Sequence, residues 1–516
     1  MKKTSLILSK IIFGISAVIL LYLTLNAFHY SFYMNLYYYE GISWIAEGPD
    51  SRLKNILAVL AGFILLFLLS KLLFLGSKNK ENKNHRVLIL AIVFCAVILA
   101  GLIYFVTKTH ISVECDQLEV FNLASMLAKG DYSEVGNYYF QMYPQQLGLA
   151  FFESIFLHFT SDPLIFQILN AIFISASVFF IYRLSHELFA SPEISFFTLM
   201  LIVVNFPFYY YTSFVYGDVF MIFASLFISW AAIKYFKTGK LLYPILLMVA
   251  SVIMIPVRKN SLVFLLALAI VMILKSLHVK KLAPVILAIL VIILPLLFNK
   301  AIIKGYETKG ETTIDNEMPA INWIAMGLYD AVNPGYSVGV YNMYNELTYF
   351  NAGRNTEASK EASKAFIEER LDYFKKNPEA CRKFFRFKTL EQWTEPTFSS
   401  IDSTVGDHKY CWEEVKFSYD FHTLDRMSRL MNYVQAIAYF FSFIYMLFAI
   451  VSEKEIGSVL PVLAFVGGFL FSLIWEASGR YTYPYFIILL PIAAAGIGKT
   501  WKLLMSVYFK YIKKSE

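Results

Sequence analysis

The chain has 516 residues, of which 58% are hydrophobic, 17% aromatic and only 16% charged, with a mean hydropathy of +0.56. No soluble fold of this length needs so much apolar surface, whereas a helical bundle in lipid does. The net charge of +7 does not point to nucleic acid, because the basic residues lie mostly in short loops between apolar runs, where they set orientation across a membrane. Cys95, Cys115, Cys381 and Cys411 form no CxxC pair, which argues against a metal or redox motif.

The N-terminal MKKTSLILSKIIFGISAVILLYLTLNAF has a basic start and an apolar run of about 18 residues with no small-residue cleavage site, so it reads as a retained span and not as a signal peptide. Lys2, Lys3 and Lys10 place the N-terminus inside. A first span over 11–28 and a second over 55–75 flank a loop, Tyr30 to Arg52, assigned to the outer interface. SKNKENKNHR is the densest basic run between spans and is assigned to the cytoplasm. A third span, 87–106, then delivers a polar, tyrosine-rich segment, Ile111 to Gly148, to the outside. Within it, Leu118 to Ala128 is amphipathic.

Pro144 to His158 poses a parity problem. If it crosses, the basic KYFKTGK run near Lys237 lands outside; if it lies in or dips into the outer interface, Lys234, Lys237, Lys240, Lys275, Lys280 and Lys281 all fall inside. The second arrangement gives spans at 164–182, 194–211, 219–235, 241–256, 261–278 and 282–298. A stretch of mixed polarity follows, outside the membrane. In it, Asn355 or Thr356 caps a helix that ends at Lys375 and Lys376, before Pro378. A second, basic helix runs from Pro378 to Trp393. Spans at 431–451, 456–475 and 481–498 close the bundle, with SEKE and the basic C-terminal tail inside.

The fold expected is therefore all-α and polytopic, with about twelve membrane-spanning helices, outer juxtamembrane helices and a mostly helical extracytoplasmic domain. The domains are two additional N-terminal spans (1–86), a transmembrane catalytic module (87–298) with its outer loop (107–163), the extracytoplasmic domain (299–430), and C-terminal spans with a basic tail (431–516). Both termini are expected in the cytoplasm. A Cys381–Cys411 bridge stays open, because Cys381 falls in a basic helix.

The informative charges break this pattern. Asp116, with Ser112, Glu114 and Gln117 beside it, sits just past the third span; it is either a general base held at the membrane surface or a solvated loop acid. Arg258 and Lys259 lie between two apolar runs on the outer side. A basic side chain at mid-bilayer costs about 2.5–3.5 kcal/mol, so the pair either snorkels to headgroups or clamps a lipid-linked phosphate. Arg480, at the mouth of the last span, follows Glu476 by one turn and is a second outward cation or half of a helix pair. Asp218 opens a span from the outer side, as a helix cap or as a site residue.

These residues carry a resemblance. Asp116-Gln117, then MLAKGDY (Met126 to Tyr132), Tyr143-Pro144, Asp218 and Lys259 follow one another as in integral-membrane glycosyltransferases of the GT-C class. The chain is similar to protein O-mannosyltransferases and the bacterial aminoarabinose transferase, in a form resembling Gram-positive bacterial proteins. Gln117 replaces the usual second acid and Gln145 the usual second proline. The resemblance covers roughly 87–298 and the SGRYTYPY end. It implies transfer of a sugar from a polyprenyl-phosphate donor to an acceptor hydroxyl of a cell-envelope glycan, lipid or protein on the outer face of the membrane. Asp116 is then the catalytic base, and Lys259, Arg258 and Arg480 meet the donor phosphate. Asp218, Glu114 and Tyr143 hold sugar or acceptor. No cofactor is expected, with a metal ion left as the less favoured option. The rival readings are a surface-polysaccharide polymerase or ligase, and a flippase or transporter of lipid-linked sugar; spans nearly free of ionisable residues argue against the last.

Overall fold

The computed structural model describes residues 2–35, 43–47, 51–77, 79–330, 338–401, 421–452 and 456–511. Cys411 and most of the NLYYYEG stretch lie outside the described residues. Long apolar helices dominate: α1 (Lys2–His29), α2 (Ser51–Leu73), α3 (Lys80–Thr109), α7 (Leu164–Phe189), α10 (Asp218–Thr238), α12 (Ser261–Val279), α13 (Ala283–Lys309), α18 (Phe421–Ser452) and α20 (Gly479–Tyr511). Among the described residues, these nine are long and apolar enough to cross a membrane. The architecture is that of a multi-pass helical membrane protein.

One expected span is broken. α8 (Pro192–Val203) and α9 (Phe206–Tyr210) meet at a bend of 56°. Pro207 in the first turn of α9 has no amide to continue the ladder from α8. The Asn205 side chain between them accepts from the Tyr483 hydroxyl at 2.6 Å, inside the bundle. Three apolar helices are shorter: α6 (Gln146–Leu157), α11 (Leu242–Val257) and α19 (Val459–Ile474). With 12 residues, α6 extends about 18 Å, well under the ~30 Å of a bilayer core, which suits a helix that does not cross. It rests on α4 (Asp116–Ala128) and α11.

Side-chain contacts sort the helix ends. Lys83 pairs with Glu193 at 2.9 Å, and Glu187 with Lys234 at 2.7 Å. Arg86 donates to the carbonyls of Leu73 and Leu75, and Ser5 meets His278 at 3.4 Å. The loops rich in Lys and Arg thus gather at one end of the bundle, together with the start of α1. At the other end lie α4, α5 (Tyr138–Met142), α6 and a helical domain of α14 (Ile321–Gly327), α15 (Tyr344–Asn351), α16 (Thr356–Lys376) and α17 (Pro378–Trp393). A two-stranded antiparallel ribbon, β1 (Ser31–Asn35) with β2 (Ser43–Glu47), pairs Ser31 with Glu47 and Asn35 with Ser43.

The local signals of this domain read as expected. The Asn355 side chain accepts from the Ala358 amide and caps α16, and Pro378 opens α17. One boundary differs: α13 runs on to Lys309, eleven residues past the apolar stretch that ends at Phe298. Ile302 and Tyr306 are buried along that extension, which holds it helical beyond the apolar run.

The domain is clasped to the bundle through α17. Trp393 is fully buried and its indole donates to Ser472 at 2.9 Å, while Thr482 donates to the Gln392 carbonyl at 2.6 Å. Beside them, Lys388 is fully buried and donates to the Gly327 carbonyl. Gly339, at φ +72°, has its own carbonyl accepting from the Ala477 amide at 2.6 Å. A Cβ there would sit about 2.5 Å from the Gly327 carbonyl oxygen, so only glycine lets the strands of this clasp cross.

Burial lowers the Lys388 ammonium from 10.5 to about 7, against the opposing pull of Glu476. The unfolded chain binds that proton up to its ordinary value and the folded chain does not. Stability therefore rises with pH between about 7 and 10.5 through this group. Lys388→Met should flatten that rise in thermal melts of detergent-solubilised protein; an unchanged slope would mean that another group holds the proton.

Candidate functional site

The site forms where α3 ends, α10 begins, α11 ends and α20 begins. Asp116 is the first residue of α4, preceded by Cys115 at φ 51°, ψ −131°. A non-glycine residue there carries roughly 1–3 kcal/mol of strain. Such strain marks a residue whose orientation is dictated by its surroundings. Asp116 is exposed, yet its Oδ2 accepts from the Tyr216 hydroxyl at 2.9 Å, and that hydroxyl accepts in turn from the Gln146 amide at the start of α6. Gln117 accepts from the Val215 amide at 2.7 Å, tying the outer loop to the segment before α10. The two residues that a loop acid would leave to solvent are both engaged.

Asp218 follows Gly217, whose φ of +82° turns the chain into α10. A Cβ at Gly217 would sit about 2.7 Å from the Val257 carbonyl oxygen. No capping bond forms from a side chain here. Asp218 is buried and pairs with the equally buried Arg258 at 3.0 Å. Its role is therefore neither simple capping nor open contact with a substrate. The Arg258 guanidinium lies over the Tyr216 ring at 4.9 Å and the Tyr481 ring at 5.8 Å. It does not snorkel outward.

Arg480 completes the cluster. Its guanidinium lies 5.1 Å from the Phe214 ring, 5.6 Å from Tyr216 and 5.2 Å from Tyr481. It donates to the Tyr481 hydroxyl at 3.3 Å, and that hydroxyl donates to Glu476 at 3.2 Å. Glu476 sits in the link between α19 and α20, so the alternative of a pair on one helix turn gives way to a tyrosine bridge. Among the described residues, Arg480 has no carboxylate within ion-pair distance. Four buried polar atoms here are also without a well-formed hydrogen bond: Arg480 Nε, Asp218 Oδ2, the Tyr139 hydroxyl and the Arg258 Nη2 that makes the ion pair to Asp218. Buried polar groups are normally satisfied, so their convergence marks a place shaped for a further molecule.

Burial, and after it the Asp116 charge, raises the Tyr216 phenol far above its usual range. Burial raises Tyr139 likewise, with Tyr216 and Asp116 adding to it. Both phenols remain donors under all ordinary conditions. Burial also raises the Glu476 carboxyl, while Arg480 opposes the shift.

The remaining expected residues fall around this cluster. Lys259 is exposed, one residue beyond Arg258 and outside the aromatic cage. Glu114 is half-buried and accepts from Ser112 at 3.1 Å. Tyr143 donates to Glu346 of α15 at 2.8 Å, so the outer loop and the outer domain meet at the edge of the site. Tyr216, Tyr139, Gln146, Tyr481 and Glu346 were not singled out from the sequence. YTSFVYGDVF does hold Tyr216 two residues before Asp218, and a tyrosine next to a polar break in an apolar run was the available signal. Among the described residues, no three His, Cys, Asp or Glu side chains converge as metal ligands. Compared with known proteins, the chain matches no family model and no curated sequence.

Asp218→Asn leaves the Arg258 charge without its counter-ion, and breaking one side of a buried pair costs about 3–5 kcal/mol. Thermal unfolding in detergent should show that loss, with Asp218→Asn/Arg258→Met recovering most of it. Simple additivity of the two single changes would mean that the pair is not coupled.

Proposed function

We propose that the protein is a membrane glycosyltransferase of the GT-C type, moving a sugar from a polyprenyl-phosphate donor to an acceptor hydroxyl at the extracytoplasmic face. The observation that carries this reading is the juxtaposition of an exposed, tyrosine-oriented Asp116 with the buried Arg258 and the half-buried Arg480, the latter with no carboxylate partner within ion-pair distance among the described residues. A fixed, partly desolvated cation at the end of apolar helices suits a phosphodiester whose lipid tail lies in the bilayer, and the phosphate monoester that it releases. The reading takes α11, α19 and the broken α8–α9 as full spans, giving about twelve crossings. Both termini and the basic end then face the cytoplasm.

In this mechanism the acceptor oxygen attacks the anomeric carbon from the side opposite the phosphate. Asp116 Oδ1, left open by the bond from Tyr216 to Oδ2, takes the hydroxyl proton. The bond between the anomeric carbon and the phosphate oxygen breaks, and polyprenyl phosphate leaves carrying the electron pair. Configuration inverts. Arg480 meets the charge that grows on the leaving phosphate, because preorganised cations stabilise developing charge most. Arg258, held by Asp218, keeps Tyr216 and the cage in place and adds to the field. Lys259 lies at the rim, where it draws the anionic headgroup in and makes less difference to the chemical step.

Asp116→Asn keeps shape and hydrogen bonding but cannot take a proton. Turnover with polyprenyl-phosphate sugar should fall about 10²–10⁴-fold, with donor binding nearly unchanged. Near-normal turnover would remove Asp116 from the mechanism. Arg480→Gln should weaken donor binding and rate together, since the cation meets charge in both ground and transition states. Sidedness has a native reporter in the exposed Cys115 thiol. With Cys95, Cys381 and Cys411 replaced by alanine, a membrane-impermeant maleimide should label Cys115 in intact cells, and the further change Cys115→Ala should abolish that signal. Labelling only after lysis would place the site on the cytoplasmic side.

A further inference from the structure

At the same end of the bundle, a second constellation takes no part in the transfer step. Glu346, in the first turn of α15, accepts at the same Oε1 from two phenols, Tyr143 at 2.8 Å and Tyr341 at 2.9 Å. The three residues come from three segments: the end of α5, the coil before α15, and α15 itself. Two donors fix the carboxylate in orientation, and a carboxylate has about four acceptor positions, so Oε2 keeps capacity that neither tyrosine uses.

Aromatic surface borders this carboxylate. The Tyr143 ring meets Trp323 at 5.9 Å, and Trp323 stacks on Trp475 at 5.9 Å with the planes only 7° apart. Tyr341 is 52% exposed, so the edge of the constellation is open to solvent. On its inner side Tyr139 packs against Tyr143 at 5.1 Å. The buried Tyr139 hydroxyl makes no hydrogen bond of good geometry and lies beside the Tyr216 hydroxyl and Asp116, whose charge it feels. Burial raises the Tyr143 and Tyr341 phenols first, then Glu346, and the Asp116 charge reaches both of them. The constellation therefore abuts the proton-accepting carboxylate.

We propose that Glu346, Tyr143, Tyr341 and Trp323 form the acceptor subsite and that its ligand is a carbohydrate. The assignment rests on the glycosyltransferase reading for the word acceptor, but the carbohydrate chemistry stands on these side chains. A sugar offers C–H faces that pack on aromatic rings and a row of hydroxyls that donate to a fixed carboxylate. A serine or threonine side chain would present a single hydroxyl and have little use for the indole. A phosphate would be repelled by Glu346. The Tyr139 hydroxyl then donates to the acceptor oxygen and steers it toward Asp116.

The test separates this subsite from the anion site. Intrinsic tryptophan fluorescence of the detergent-solubilised full chain is titrated with methyl glycosides of glucose, galactose, mannose and N-acetylglucosamine, with a short β-linked glucosamine oligomer, with a Ser/Thr-rich peptide and with inorganic phosphate. At least one saccharide should quench saturably. Its affinity should drop tenfold or more in Glu346→Gln and in the surface change Tyr341→Phe, and stay unchanged in Arg480→Gln. Phosphate should show the opposite pattern. Saccharide binding that survives both Glu346→Gln and Tyr341→Phe would make Glu346 a brace between loop and domain and overturn the proposal. So would binding of the peptide alone, or no saccharide binding at all. Loss of the phosphate response in the native protein, with saccharide binding intact, would instead count against the glycosyltransferase reading and leave the carbohydrate site standing.

Discussion

Two guanidinium groups lie at the ends of apolar helices, Arg258 buried and Arg480 half-buried, and the surrounding structure is arranged to make that tolerable. Taking a charge out of water costs several kcal/mol unless it is paired and hydrogen-bonded. Arg258 meets the cost with Asp218 and with the faces of Tyr216 and Tyr481. Arg480 relies on three aromatic rings and a phenol. Tyr216 stands between the cations and Asp116, touching all three through its ring or its hydroxyl. Moving any one of these groups alters the field at the other two.

Glycine geometry is what allows the cluster to close. At Gly217 the chain must pass close to the Val257 carbonyl while turning through a left-handed conformation, so that Asp218 reaches the residue immediately after Val257. At Gly339 the outer domain comes within hydrogen-bonding distance of Ala477, next to Glu476. The outer domain thereby fixes the link from which Arg480 emerges. Any shift of the domain relative to the bundle is felt at the cationic side of the site.

The apolar runs and the four residues Asp116, Asp218, Arg258 and Arg480, which the structure brings to one end of the bundle, could be read from the chain, because a charge against an apolar background is conspicuous. Which of two adjacent cations turns inward could not. Arg258 and Lys259 have the same hydropathy context, and the choice depends on the turn after α11 and on Tyr216 offering its ring. Glu346 was hidden for the opposite reason. It lies in a segment of mixed polarity where one more acid carries no signal, and only the meeting of the outer loop with α15 gives it meaning. The break between α8 and α9 had its cue in Asn205 and Pro207, but an apolar run continuing on either side hides a bend that does not change its composition.

The first helix carries a consequence for how the molecule is made. α1 packs against α12, α18 and α19, with Phe13, Leu20 and Leu23 almost fully buried. It is synthesised before α18 and α19, which follow it only after α2 to α17. Until they arrive, α1 has lipid, or an assisting protein, along the face that will later be interior. This closure of the bundle joins segments far apart in sequence, and contacts so distant are slow to form. A nascent chain stalled before α18 would hold α2, α3 and the α7–α13 helices in the membrane with that seam still open. Quality control acting on unassembled membrane segments would find its target there, at the seam, and not at the end that holds the Asp116 cluster.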